Sequence, residues 1–116
     1  MTTLLEEIHK GRPCFDVITA ANINITHVNI EDYNLLVDAC NQVIDAYPVY
    51  PENTGEGFIF WIEHEYDAEE LSSVGFSQDF IDLYRYVQQS PKHMTHIWLD
   101  IDGEHYEELK TFNHPY

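Results

Sequence analysis

The chain has 116 residues and a formal net charge of −16, because 21 Asp and Glu residues outnumber five Lys and Arg residues. A chain of this length can bury an apolar core without disulfides or metals, and an apolar fraction of 44% excludes a disordered acidic tail. The charge argues against direct binding to nucleic acid, whose phosphates would be repelled. No apolar run approaches the roughly 18 residues of a membrane span, so we expect one soluble, cytoplasmic domain over residues 1–116.

The carboxylates are distributed unevenly along the chain. No basic residue occurs between Arg12 and Arg85, and that interval contains 14 Asp and Glu residues. Few of them can form local ion pairs, so the folded state has to tolerate their mutual repulsion. Solubility alone requires a net charge of only about 2 to 8 in a small domain. The excess therefore indicates a function for the negative surface.

The first half of the sequence predicts three elements. A short helix over residues 3–10 is followed by a strand over residues 14–20, where β-branched residues alternate with others. From Ile30 to Tyr47 apolar residues recur every three or four positions. This spacing predicts a long helix with Asn29 as its N-cap.

The second half predicts a short edge segment, two strands and a helix. Prolines and glycines in residues 47–57 favour an edge segment and a turn, and the aromatic run over residues 57–62 favours a strand. Ser77 is placed to cap a helix over residues 78–89. The stretch "THIWLDI", residues 95–101, predicts the last strand.

This order of elements predicts an α+β fold. Strand, helix, short strand, strand, helix and strand favour a mixed or antiparallel sheet with two main helices packed on one face, ferredoxin-like or a related split βαββαβ type. The core is expected within residues 14–101, between the N-terminal helix and an acidic C-terminal segment, residues 102–116.

The stretch "EHEYDAEE", residues 63–70, is the most acidic part of the chain. Because side chains alternate across a strand, Phe58, Phe60 and Ile62 are predicted to face the core, and Ile59 and Trp61 the opposite side. If the strand continued to Asp67, then Glu63, Glu65 and Asp67 would share the face of Trp61 at intervals of about 6.6 to 6.8 Å. This spacing is comparable to that of phosphates along a nucleic-acid strand. An exposed acidic loop that keeps an aromatic edge strand from aggregating explains the same residues equally well.

The sequence carries little support for an enzyme or a metal site. "IWLDIDGE", residues 97–104, resembles the first motif of haloacid-dehalogenase-type phosphatases, but Glu104 does not fit it and too few residues follow for the downstream catalytic groups. The carboxylates from Asp100 to Glu108 lack the register of an EF-hand, although weak binding of a divalent cation stays open. We expect no enzymatic activity, cofactor or dedicated metal.

The cysteines and histidines likewise show no spacing typical of a site. Cys14 and Cys40 have no C-x-x-C pattern, and they are interpreted as buried thiols in a reducing compartment. The seven histidines are scattered along the chain.

Several segments together resemble a family of small uncharacterised proteins carried on bacterial prophages, plasmids and genomic islands. These segments are "VITAANINITHVNIEDYNLL", then "YPVYP" and "GEGFIFWI", and then "FSQDFIDLYRYVQQSPKHMTHIWLDIDGEHYEELKTFNH", over about residues 16–114. Leu99 stands where the family usually has an aromatic residue, and Asn113-His114 where Asp-Trp is common. The resemblance implies an origin on a mobile element and no activity that can be transferred.

The charge and this origin lead to one hypothesis about function. We expect a protein of the DNA-mimic type, such as an anti-CRISPR or anti-restriction inhibitor, which masks the nucleic-acid-binding surface of a basic host protein with carboxylates. It would act as a monomer or a homodimer. The predicted binding residues are Glu63, Glu65, Tyr66, Asp67, Glu69, Glu70, Asp100, Asp102, Glu104, Glu107 and Glu108, with Asp38 and Asp45 as secondary acidic positions and Tyr106 as a second aromatic anchor.

A different kind of interaction protein is the alternative. It would bind a basic partner such as a toxin, or it would self-assemble through an aromatic surface that includes Trp61 and Trp98. Salt separates the two hypotheses, because an electrostatic complex weakens at high ionic strength and an apolar interface does not.

Overall fold

The computed structural model describes residues 18–62 and 68–113. Four strands and three helices form in this part of the chain. The strands are β1 (Ala20–Asn24), β2 (Glu52–Asn53), β3 (Gly57–Trp61) and β4 (His96–Asp100); the helices are α1 (Ile30–Cys40), α2 (Ala68–Val74) and α3 (Gln78–Gln88). A short 3₁₀ helix, Ile25–His27, follows β1 directly. None of the described helices has both the length and the apolar character that crossing a membrane requires.

The strands form one mixed sheet in the order β1-β4-β3-β2. β1 is parallel to β4, while β4 and β3, and β3 and β2, are antiparallel. The α+β class and the mixed sheet are therefore confirmed, and the predicted strands and two main helices occur in the predicted order, with one additional helix, α2, between β3 and α3. β1 lies at an edge of the sheet, so the strand order differs from the ferredoxin-like one, in which β1 is central.

Both main helices cover the same face of the sheet. Phe58 and Phe60 of β3 are buried, at 2% and 1% exposure, and point towards the helices. The ring of Phe60 stacks with Tyr84 of α3 at a centroid distance of 6.3 Å, and Phe58 meets the ring edge of Tyr33 of α1 at 5.5 Å. The predicted alternation along the aromatic strand is confirmed, because Trp61 lies on the opposite face and is 58% exposed.

The first long helix ends earlier than predicted. α1 stops at Cys40, because Gln42 adopts a left-handed conformation with φ of 60°. The N–H of Val43 then donates to the carbonyl of Asp38 at 2.8 Å, and the N–H of Gln42 to the carbonyl of Ala39 at 3.1 Å. These are the two hydrogen bonds of a Schellman motif, which usually contains glycine at the left-handed position. Because glutamine instead of glycine occupies the left-handed position, the sequence pattern contains no signal for this end of the helix.

The first strand also differs from the prediction. Residues 18 and 19 are outside any strand, and β1 is Ala20–Asn24 rather than residues 14–20. Two asparagines disfavour a strand by propensity, yet Ile23 is 1% exposed and anchors the strand in the core. The predicted helix over residues 3–10, and residues 14–17 of the predicted strand, lie outside the described residues.

Helix α2 was not predicted, although the sequence contains signals for it. Glu69 and Glu70 occupy its first turn, where negative charge is favourable, and Leu71 is fully buried. Gly75, with φ of 116°, ends the helix, and the N–H of Phe76 donates to the carbonyl of Leu71 at 3.2 Å. The acidic stretch therefore ends in a helix that packs on the core.

Candidate functional site

The most deeply buried carboxylate of the described residues, Asp32, joins the start of α1 to the start of α3. Asp32 is 1% exposed. Its Oδ1 accepts the backbone N–H of Ser77 at 2.9 Å, and its Oδ2 accepts the Ser77 hydroxyl at 2.5 Å. The N-cap residue Asn29 also donates to the Ser77 hydroxyl at 3.1 Å. Burial raises the pKa of Asp32, and the hydrogen bonds from Ser77 oppose that shift. Both carboxylate oxygens therefore have a structural role, which is to join the starts of the two helices.

The acidic C-terminal segment contains neither helix nor strand from residue 101 to residue 113, but it is held firmly against β1. The N–H of Asn24 donates to the carbonyl of Glu104 at 2.8 Å, and the Asn24 amide donates to the carbonyls of Ile101 and Gly103 at 3.2 and 3.1 Å. A Cβ on Gly103 would lie 2.5 Å from the Ile23 carbonyl carbon, so only glycine permits this approach. The carboxylates of the segment are therefore displayed from a fixed backbone.

His27 fixes the middle of the same segment. Its Nε2 accepts the N–H of Tyr106 at 3.0 Å, which places the proton of the neutral ring on Nδ1. Nδ1 then donates to the carbonyl of Lys110 at 2.7 Å. The Tyr106 hydroxyl donates to the carbonyl of Asn22 at 3.1 Å, so this tyrosine packs against β1 and is only half-exposed. Sequence reasoning placed Tyr106 among the partner contacts and missed the anchoring role of His27.

Three carboxylates converge where β3 begins and β4 ends. Oxygen atoms of Glu56, Asp100 and Asp102 lie within 4.8 Å of one another. Asp100 is 7% exposed and its Oδ1 accepts the N–H of Asp102 at 2.8 Å, whereas Glu56 and Asp102 are exposed. Carboxylate oxygens at such separations can coordinate a hard cation, although exposed acidic groups commonly occur without one. We call these three residues the acidic cluster.

The position of Asp100 also accounts for the motif "IWLDIDGE", which resembles a phosphatase motif. Asp100 pairs with Gly57 in the β3–β4 ladder, and its carboxylate caps the turn that follows β4. A Cβ on Gly57 would lie 1.8 Å from the carbonyl oxygen of Leu99, so the glycine is required for this close pairing. An aspartate that closes a turn accounts for "DIDG" without a catalytic role.

The predicted binding residues fall into separate groups. Glu63, Glu65, Tyr66 and Asp67 lie outside the described residues. Glu69 and Glu70 begin α2, which follows the Trp61 end of β3, and one carboxylate oxygen of Glu70 is buried without a hydrogen-bond partner. Asp100, Asp102, Glu104, Glu107 and Glu108 belong to the opposite, Gly57 end of β3 and to the C-terminal segment.

Apart from Asp100, the acidic side chains of the C-terminal segment are exposed. Of the secondary positions, Asp45 is exposed and Asp38 is half-buried. Glu56, which the sequence analysis did not select, joins the C-terminal group because of the β3–β4 register.

The face of the sheet opposite the helices is unlike the core. We call it the open face and define it by the side chains of Asn22, Asn24, Glu52, Ile59, Trp61, His96, Trp98 and Asp100. Its residues differ in exposure: Trp61 is 58% exposed, whereas Asn24, His96 and Asp100 are buried, at 5 to 7%. The Trp61 indole lies over the His96 ring at a centroid distance of 4.1 Å. Burial lowers the pKa of His96, while the nearby carboxylate of Glu52 acts in the opposite direction.

The open face contains two unsatisfied polar atoms. Nε1 of Trp98 and Oδ1 of Asn22 are buried without a hydrogen-bond partner, and these two residues are directly paired between β4 and β1. A buried polar atom without a partner costs about 1 to 3 kcal/mol, so these two atoms lower the stability of the folded protein.

Cys40 is the one cysteine within the described residues. It is half-buried rather than fully buried, and its thiol donates to the carbonyl of Pro51 at 3.2 Å. Burial raises the pKa of this thiol, which keeps it protonated and unreactive. Cys14 lies outside the described residues.

Two clefts flank the sheet. The larger, of about 460 Å³, lies beside the acidic cluster, and the amide of Asn24 that lines it is already hydrogen-bonded to the chain. The smaller, of about 380 Å³, is mainly apolar and lies between β1 and the end of α3. Asn24, Thr26, Asn53 and Glu56 supply polar groups to the larger cleft, whereas apolar residues line most of the smaller one.

These features define a small acidic α+β protein with a covered sheet face and an open one, and with carboxylates displayed from a fixed C-terminal segment. The chain belongs to a family of unknown function, DUF5983, whose C-terminal domain matches residues 20–114. The match begins at the first residue of β1 and includes every described strand and helix. No curated protein and no solved structure matches the chain significantly.

Proposed function

We propose that this protein binds a positively charged protein and occupies, with its carboxylates, a surface that the partner uses for nucleic acid. One observation carries the proposal. The described residues include 15 Asp and Glu against three Lys and Arg, and three of the carboxylates converge within 4.8 Å at the acidic cluster instead of dispersing. Such convergence costs folding energy through repulsion, and a cationic partner would offset that cost.

The C-terminal segment supports the proposal through its rigidity. Its backbone is fixed by hydrogen bonds from Asn24 and His27, while the side chains of Asp102, Glu104 and Glu107 are exposed. A binding surface that is ordered before the partner arrives loses less conformational entropy on association. The ion pair found among the described residues joins Lys110 to Asp79 at 3.1 Å. It involves none of the three exposed carboxylates.

The context that we propose is a mobile genetic element of bacteria. The partner would be a nucleic-acid-binding host defence protein in the cytoplasm, and the protein would be a non-enzymatic inhibitor of the DNA-mimic type, as in anti-CRISPR or anti-restriction systems. Electrostatic complementarity would give such an inhibitor fast association.

The alternative is a partner of a different class, such as a basic toxin, or self-assembly through the open face. The exposure of Trp61, at 58%, favours an apolar contribution to either interface.

Affinity capture from a bacterial host lysate tests the proposal. The immobilised protein should retain a nucleic-acid-binding protein at about 0.1 M salt, release it at about 1 M salt, where the Debye length falls from about 10 to about 3 Å, and release it to added duplex DNA. Capture that survives both treatments would refute masking of a nucleic-acid surface.

Two variants that remove the same number of negative charges show whether the capture depends on the C-terminal segment. The first combines Glu104→Gln and Glu107→Gln; the control combines Glu31→Gln and Asp82→Asn, at exposed positions outside the predicted binding residues. The first variant should lose the captured protein and the control should keep it. Equal behaviour of the two variants would show that net charge alone, rather than this surface, is responsible.

A further inference from the structure

We propose that the larger cleft binds an organic cation, an alkylammonium or alkylguanidinium group with an apolar stem. The cleft, of about 460 Å³, lies at the end of the sheet where β1 and β4 finish and β3 begins. This site goes beyond the proposed function, because a lysine or arginine side chain of a protein and a free small amine offer the same chemistry. Only the assignment to a protein side chain rests on the proposed function.

The apolar lining of the cleft is the first observation. Ile25 and Phe58 line it and are almost fully buried, at 1% and 2% exposure. The ring of Tyr33, which also lines the cleft, meets the ring of Phe58 edge-on at a centroid distance of 5.5 Å. Ile101 adds a half-exposed aliphatic side chain. An alkyl stem that enters the cleft therefore leaves water for apolar surroundings, which is favourable.

The hydrogen bonds around Asn24 are the second observation. The Asn24 amide nitrogen donates to the carbonyls of Ile101 and Gly103. Its Oδ1 accepts both the N–H of Thr26, at 3.0 Å, and the Thr26 hydroxyl, at 2.7 Å. Asn24 therefore has no hydrogen-bonding capacity left for a ligand. Because the proton of the Thr26 hydroxyl is used, this oxygen can only accept, so a ligand that meets Thr26 in the cleft has to be a donor.

The negative charge of the cleft is the third observation, and Glu56 supplies it. Glu56 lines the cleft and also belongs to the acidic cluster, whose carboxylate oxygens lie within 4.8 Å of one another. Its backbone is fixed, since the N–H of Ile101 donates to the carbonyl of Glu56 at 3.1 Å. None of the described residues that line the cleft is a lysine, an arginine or a histidine. The lining therefore supplies no compensating positive charge.

These three observations together select a cation that has an apolar stem. Glu56 and the Thr26 hydroxyl both accept, and an ammonium or guanidinium group offers three or five donors together with a positive charge. An anion would be repelled by the acidic cluster, and a bare metal ion would leave the apolar lining unused. The volume of the cleft lies in the range of about 300 to 1,000 Å³ that is typical of small-ligand sites.

Titration of the isolated protein with two small probes tests this inference. Butylguanidinium and butylurea have the same stem and nearly the same shape, but only butylguanidinium is charged. Binding is followed by NMR at the backbone amides of Thr26 and Gly55 and at the side-chain amide of Asn53, because these residues line the cleft. We expect butylguanidinium to shift these signals saturably and to bind about two- to fivefold more tightly than butylurea, which is the range of an exposed ion pair.

Two pairs of variants separate the charge of the cleft from its apolar lining. Glu56→Gln should abolish the preference for butylguanidinium, whereas Glu52→Gln, which removes the same charge at an exposed position outside the cleft, should keep it. Ile101→Ser should weaken the binding of both probes, whereas Val43→Ser, at an exposed position elsewhere, should leave both unchanged. Circular dichroism and urea unfolding confirm that all four variants are folded.

Three results would overturn the inference. The first is equal binding of the two probes, and the second is a set of NMR shifts that spreads over the acidic surface instead of concentrating at the cleft. The third is a preference that Glu56→Gln and Glu52→Gln reduce equally, because it would reflect net charge alone.

The lysate capture distinguishes the two sources of the cation. Loss of the captured protein in Glu56→Gln but not in Glu52→Gln assigns the cation to a lysine or arginine side chain of the partner. Retention of that protein in Glu56→Gln, together with loss of the probe preference, assigns it to a free amine. The probe titration needs no partner, so a failed capture would remove the proposed function and leave the site in the cleft standing.

Discussion

The two faces of the sheet are built from the same strands and show opposite chemistry. On the covered face, Phe60 meets Phe80 and Tyr84 of α3 and is 1% exposed. On the open face, the neighbouring Trp61 is 58% exposed and two polar atoms are buried without partners. Alternation along a strand produces both faces from one sequence. The comparison teaches that close aromatic packing is concentrated on the face that the helices cover, while the other face combines one exposed indole with buried polar residues.

The largest effect should separate neighbouring residues of β3. Phe60→Ala should lower the free energy of unfolding by about 3 to 5 kcal/mol, because it leaves a cavity in the core. Trp61→Ala should lower it by about 1 kcal/mol or less, because surface substitutions have small effects. Urea denaturation of the two variants measures the difference. Equal destabilisation by the two substitutions would contradict the difference in packing between the two faces.

A second prediction concerns the helix ends above the covered face. Asp32→Ala should lower the free energy of unfolding by about 1 to 3 kcal/mol, because it removes the acceptor of the half-buried N–H and hydroxyl of Ser77. Asp82→Ala is the control, since Asp82 is exposed on α3. A loss for Asp82→Ala as large as that for Asp32→Ala would show that the joint between α1 and α3 is unimportant.

His96 on the open face should make the free energy of unfolding depend on pH. The pKa of His96 is lowered in the folded protein by burial, so the unfolded chain binds the proton more strongly. Stability should therefore fall as the pH decreases below the unfolded value of about 6.5, until the lower folded pKa is reached.

Thermal unfolding between pH 7.5 and 5 measures this effect. In His96→Gln the decrease in this range should be smaller than in the original protein, whereas His93→Gln, at an exposed position, should retain it. An unchanged profile in His96→Gln would contradict the assignment.

The smallest predicted effect is a gain in stability away from both faces. Gln42→Gly should raise the free energy of unfolding by about 0.5 to 1 kcal/mol, because glycine adopts the left-handed conformation without steric cost. Asn41→Gly, at a position with φ of −86°, should give no gain. A confirmed gain would supply a stabilised background for comparing substitutions of the open face. A loss for Gln42→Gly would show that the glutamine side chain is needed there.

Much of the fold follows from local signals in the sequence. Helix α3 was predicted to within one residue, because Ser77 caps it and its apolar residues have helical spacing. The end of α1 could not be predicted, since Gln42 replaces the expected glycine. Asn24 of β1 is held by contacts with residues 101–104, about 80 positions further along the chain, and no local pattern contains such contacts.

The candidate site was predictable only in part. The acidic C-terminal residues are visible in the sequence, and alternation correctly assigned Phe58 and Trp61 to opposite faces. The convergence of Glu56 with Asp100 depends on the β3–β4 register, in which Gly57 pairs with Asp100. Which face the helices would leave open is likewise a tertiary property that the sequence pattern does not contain.

Binding of the captured partner to duplex DNA, measured with increasing amounts of this protein, tests the central claim most directly. The account predicts that the protein displaces the DNA, and that the variant with Glu104→Gln and Glu107→Gln does so less effectively than the control with Glu31→Gln and Asp82→Asn. A ternary complex, in which the partner holds the DNA and this protein together, would contradict the claim.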